Sequence, residues 1–78
     1  GSLMLIARVY DRNGRPVSRA PFDILRHRGK ANEEGVFVYC AGMKLREEFR
    51  LTINLGVPPF QAKYEFTNRV NAIRVALP

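Results

Sequence analysis

The chain has 78 residues, 46% of them apolar and 26% charged, with a formal net charge of +6. That length is one small domain, hiding only about 60% of the surface its unfolded form exposes. It leaves no room for a buried multi-residue catalytic pocket, and the composition excludes disorder. The apolar run Leu3 to Ala7 is strand-sized, and no apolar run approaches the ~20 residues a membrane-spanning helix needs. No signal-peptide pattern stands at the start. Gly1-Ser2 reads as a cloning remnant ahead of a single domain over residues 3–78, a piece of a longer protein.

In chain order the signals are those of strands and turns. Leu3 to Tyr10 is rich in aliphatic residues and ends at Asp11-Arg12-Asn13-Gly14-Arg15-Pro16, where Asn-Gly marks a turn because both residues tolerate positive φ. Pro21 to Arg28 alternates loosely as a second strand, and Gly29 to Gly35 is a polar turn. Val36 to Cys40 is a third strand. Met43 to Phe49 has no N-cap and runs into a strand pattern, so it predicts a loop or a short helical turn. Phe49, Leu51, Ile53 and Leu55 then alternate with polar residues, the mark of a strand with one dry face. Gly56-Val57-Pro58-Pro59 breaks that pattern. Two further alternating runs follow, from Phe60 to Thr67 and from Ile73 to Leu77.

Six or seven short strands with turn chemistry between them predict an all-β chain, a small antiparallel β-sandwich. The inward set is Leu5, Ala7, Val9, Phe22, Ile24, Val36, Val38, Phe49, Leu51, Ile53, Phe60, Tyr64, Phe66, Ile73, Val75 and Leu77. Phe37 and Tyr39 then face the other way. The lone Cys40 has no partner for a disulfide and reads as a small buried hydrophobe.

No catalytic constellation is found. Glu33-Glu34 and Glu47-Glu48 are adjacent pairs, and neighbours on extended backbone point to opposite faces. Ser18 has no His or Asp at a recognisable spacing. One Cys and one His fall short of a tetrahedral metal set. The expectation is a non-enzymatic chain without cofactor or metal.

Charge points to binding instead. From Arg8 to Lys30 seven basic residues face two acids, a local excess of +5, and ten of the thirteen basic residues are Arg. Arg26-His27-Arg28-Gly29-Lys30 is the densest cluster, and Arg12 and Arg15 flank the Asn-Gly turn. These six basic residues, Arg12, Arg15, Arg26, His27, Arg28 and Lys30, are the candidate contacts for a protein partner or an anion. If strand order brings the two turns together they form an anion-binding rim; if the turns lie at opposite ends, the charge is diluted. A small basic barrel binding nucleic acid or another polyanion is the alternative, although such barrels also present exposed aromatics, and most aromatics here fall on the inward register. A third route is pairing along a sheet edge, which Pro21 and Pro58-Pro59 discourage locally.

Three features recur in one order: Asp11-Arg12-Asn13-Gly14-Arg15-Pro16-Val17 after a strand, Glu33-Glu34-Gly35-Val36-Phe37, and Leu51-Thr52-Ile53 running to Gly56 and then Phe60. The ordered set, covering residues 5–77, resembles the carboxypeptidase regulatory-like domain, a transthyretin-like β-sandwich. Ala7, Ala31 and Val57 stand where that family's usual residues are Gly, Thr and Tyr, which leaves an immunoglobulin-like or pilus-assembly sandwich open. The resemblance implies an accessory or protein-contact module, without catalysis, in a larger secreted, periplasmic or outer-membrane protein. In outer-membrane pilus ushers, similar small sandwiches handle chaperone–subunit complexes.

Overall fold

The computed structural model describes residues 2–78; Gly1, read with Ser2 as a remnant, lies outside them. Seven strands form, with no helix among the described residues: β1 (Leu3–Tyr10), β2 (Pro21–Ile24), β3 (His27–Lys30), β4 (Val36–Ala41), β5 (Glu48–Ile53), β6 (Phe60–Glu65) and β7 (Val70–Ala76). They make two sheets, ordered β4-β1-β7 and β3-β2-β5-β6. The apolar faces of the two sheets share one core, so the chain is a small seven-stranded β-sandwich. Four of the five ladders are antiparallel; the fifth, β1 with β7, is parallel from Met4↔Val70 to Tyr10↔Ala76.

Two turns at one end of the sandwich are built alike. The Asp11 carboxylate accepts hydrogen bonds from the backbone N–H groups of Asn13 and Arg15, both at 2.9 Å. The Asn32 side-chain oxygen accepts from Glu34 and Val36 in the same way, at 2.8 and 2.9 Å. In each case a glycine three residues on, Gly14 or Gly35, takes positive φ and donates to the carbonyl of the first residue at 3.0 Å. This is a tight turn closed by a left-handed glycine. Asn13 does not take the positive φ expected of it; Gly14 alone does.

The second strand predicted over Pro21–Arg28 is two strands. Ile24 pairs with His27 across the two-residue turn Leu25-Arg26. Leu25 takes φ 54° at the turn's first position. The sequence hides this hairpin because no Gly or Asn marks it. Gly29 and Lys30 therefore lie in β3, not in a turn. A side chain at Gly29 would come within 3.0 Å of the Phe22 ring, so glycine is what lets that ring pack beneath β3.

β4 corrects the expected inward set. Phe37 and Ala41 are buried and Tyr39 is half-buried against the core, while Val38 is 57% exposed and Cys40 is exposed. The strand sits one residue out of the predicted phase, which moves every side chain to the other face. The reason is size. The Phe37 ring stacks on Phe22 at 3.7 Å between centroids and fills space that a valine would leave empty. Cys40 is carried outward by the same shift, so it is not a buried hydrophobe. The rest of the inward set packs as expected, joined by Leu3, Ala20 and Ala31.

The segment after β4 forms no helix. Its backbone instead bridges to Phe66: Arg46 N–H donates to the Phe66 carbonyl at 2.7 Å, and Phe66 N–H donates to the Glu47 carbonyl at 3.3 Å. That fixes Phe66, fully buried, against Phe49. Buried Asn71 ties the β6–β7 connection, its oxygen accepting from Thr67 and Asn68 N–H and its amide donating to the Asn68 carbonyl.

Candidate functional site

The six candidate basic residues do not form one rim. Arg12 and Arg15 sit in the β1–β2 turn, at the end where β1 stops. Lys30 pairs with Pro21, whose neighbour Ala20 hydrogen-bonds Ala31 near that same end. Arg26 sits at the opposite tip of the β2–β3 hairpin. The separation is at least the length of β2, about 13 Å at roughly 3.3 Å per residue. His27 is exposed at the start of β3. Its ring packs against Phe22 and Tyr39, at 5.8 and 5.4 Å between centroids, closing the side of the sandwich where β3 and β4 run.

Arg28 is already engaged. Its Nε donates to the Asp23 carboxylate at 2.9 Å, and the Asn54 amide donates to the other Asp23 oxygen. These bonds, Arg28's first, hold the Asp23 carboxyl below its ordinary range, and Asp23 in turn raises Arg28. A shallow groove of about 540 Å³ lies beside this pair, lined by Pro21, Arg28, Gly29, Lys30 and Asn54. Lys30 is its one cation without an acidic partner among the described residues.

The Asp23 pair makes a testable acid response. A carboxyl depressed by folding adds stability that is present above its unfolded pKa and is lost as pH falls through the folded value. The urea midpoint should therefore fall between pH 6 and pH 3, and the part of that fall arising below about pH 4 should be smaller in Asp23→Asn. Equal acid responses in the two proteins would refute the assignment.

The two outer faces of the sandwich differ sharply. On the four-stranded sheet both signs of charge alternate. Arg28, Asp23, Thr52 and Gln61 run across it in register, with Arg50 opposite Lys63 and Glu48 opposite Glu65. Such a face is well solvated.

The three-stranded sheet is another matter. Leu3, Leu5, Ala7 and Val9 point into the core, so Met4, Ile6, Arg8 and Tyr10 point out. In register with them on the same face lie Val38 and Cys40 of β4, and Val70, Ala72, Arg74 and Ala76 of β7. Val38 and Val70 are more than half exposed, at 57% and 55%. No Asp or Glu occurs anywhere in β1, β4 or β7. The only charged residues of these strands, Arg8 and Arg74, are register partners on neighbouring strands, and neither has an ion pair among the described residues. The Arg74 guanidinium lies 3.9 Å over the Tyr10 ring.

This face was not among the candidate residues. Its signal was present: Leu3 to Ala7 and Val36 to Ala41 are apolar at every position. A half-buried strand alternates; an unbroken apolar strand is one that presents apolar side chains on both faces. Among the described residues no group of three metal-ligating side chains comes together, and no helix is long and apolar enough to cross a membrane. In comparisons with known proteins, no family model matches the chain and no curated protein matches it.

Proposed function

We propose that this β-sandwich is a protein-interaction module, an accessory unit without catalysis of its own. The observation that carries the reading is the outer face of the β4-β1-β7 sheet. Apart from Arg8 and Arg74 its strands carry no charge, no acidic residue stands on it, and Val38 and Val70 are more than half exposed there. Contiguous apolar surface of this kind marks contact sites in proteins that are otherwise well solvated. The resemblance to carboxypeptidase regulatory-like domains supports the same role and adds a setting, a larger extracytoplasmic protein in which such a unit contacts a neighbouring domain or a partner. The alternative, a polyanion-binding barrel, loses its main support because the basic turns lie at opposite ends and Phe37 and Tyr39 face inward.

The test is selection from a displayed library of random 18-residue peptides. It is paired with fluorescence anisotropy on labelled oligonucleotides and heparin at 50 and 200 mM salt. Peptides should be enriched whose affinity drops at least tenfold on Val38→Lys and is unchanged on Arg26→Glu with Arg28→Glu. Polyanion binding should fade at 200 mM without preference for nucleic acid. Nucleic-acid binding that persists at 200 mM and is lost on the Arg26 and Arg28 reversals would replace this reading with the alternative. A selection yielding no binder sensitive to Val38→Lys would end it.

A further inference from the structure

We propose that the outer face of the three-stranded sheet receives an amphipathic helix of a partner protein, with Asp or Glu on that helix seated between Arg8 and Arg74. The proposal rests on the interaction reading above and names the partner's chemistry.

The first argument is charge. Like charges directly opposite on neighbouring strands repel, and Arg8 stands opposite Arg74 with no carboxylate on any of the three strands. The pair is a local positive site on a face that otherwise carries no charge. A carboxylate set between two guanidinium groups accepts forked hydrogen bonds from each and cancels their repulsion. Arg74 is held ready for this. Tyr10 covers one flat side of its guanidinium at 3.9 Å, which leaves the N–H edges free to donate. A shallow pocket of about 160 Å³ lies at this spot, lined by Arg8, Tyr10, Ala72, Ile73 and Arg74.

The second argument is shape. From β4 to β7 the face spans two strand spacings, about 10 Å, which matches the width of one helix with its side chains. Along β1, Met4 and Ile6 precede Arg8 on this face. Ile6 and Arg8 are about 6.6 Å apart at 3.3 Å per residue, close to the ~5.4 Å of one helical turn. A helix laid along β1 would rest an apolar row over Ile6, Val38 and Val70 and bring a carboxylate to the arginines one turn further on. A strand added at the β4 or β7 edge would extend the sheet sideways and leave this face bare. A second copy of the chain is disfavoured, since each carries +6 and face-to-face pairing would add two more arginines and no acid.

The experiment uses the peptides that depend on Val38. Their sequences should show apolar residues at i, i+3, i+4 and i+7, with Asp or Glu one turn beyond. Changing that acid to Gln should weaken binding at least tenfold at 50 mM salt. The exposed double variant Arg8→Glu with Arg74→Glu should reject the acidic peptides and bind their Lys counterparts instead. Misfolding cannot produce such a reversal. Val38-dependent peptides with no acidic enrichment, or with affinity indifferent to the double reversal, would overturn this proposal while leaving the interaction module standing. A selection with no Val38-dependent peptide would overturn both. Sedimentation equilibrium covers the self-pairing occupant: a dimer at 100 μM that Val38→Lys dissociates would replace the acidic helix with a second copy.

Discussion

Phe37→Ala is expected to lower the unfolding free energy by about 3–5 kcal/mol, the range for removing a buried phenylalanine. Val38→Ala, its immediate neighbour, should change it by no more than about 0.5 kcal/mol. Phe37 is 5% exposed and stacked on Phe22, whereas Val38 is 57% exposed on the outer face. A domain of this length holds about 4–12 kcal/mol in all, so the Phe37 variant sits near the edge of folding. Urea titration at 10 °C, read by far-ultraviolet circular dichroism, gives both numbers. The contrast tests the register of β4 directly, because a one-residue slip exchanges the two faces. A larger loss for Val38→Ala than for Phe37→Ala would place the strand in the other phase and would remove the apolar outer face with it.

Gly35→Ala should cost more than Gly14→Ala, although the two glycines close turns of the same design. Both take positive φ, 77° and 80°, and an L-residue held there costs about 1–2 kcal/mol. For Gly14 nothing lies within 4 Å of an added Cβ, so that cost is all there is. For Gly35 the added atom would meet Val9 O at 2.9 Å and Val17 O and N at 3.0 and 3.1 Å. All three are backbone atoms, tied together by the Val9–Gly35 and Val17–Val9 hydrogen bonds. They cannot swing aside as a side chain would. We expect a loss of about 3 kcal/mol or more for Gly35→Ala. Losses that come out equal in urea titration would mean that the Val17 segment yields, and that it is not the rigid strap these distances describe.

Much of this fold could be read from residue order. The strict alternation from Phe49 to Ile53 places one strand and its dry face without ambiguity. The Asp-x-x-Gly and Asn-x-x-Gly turns announce themselves through residues whose side chains bond their own backbone. The failures have physical causes. Val36 to Ala41 contains no charged residue and no alternation of apolar with strongly polar side chains, so the pattern does not select its face; ring volume against Phe22 does, and volume matching is a property of the assembled core. The β2–β3 turn uses Leu25 at positive φ, a conformation the residue itself does not favour, and tertiary pairing imposes it. The parallel joining of β1 to β7 links residues more than sixty positions apart and leaves no local trace. The basic residues were legible as a cluster along the chain. Their separation to the two ends of the β2–β3 hairpin belongs to the topology.

The parallel pairing of β1 with β7 also decides how the molecule would bear force. These are the first and last strands, and because they run the same way, Leu3 and Ala76 lie at opposite ends of the sandwich. Tension applied through the two ends of the chain would drag the strands past each other lengthwise. All seven register pairs from Met4↔Val70 to Tyr10↔Ala76 would then be loaded together. Strands joined antiparallel would instead peel apart one bond at a time under the same pull. Placed in line within a stretched polypeptide, this unit would act as a stiff link that yields abruptly.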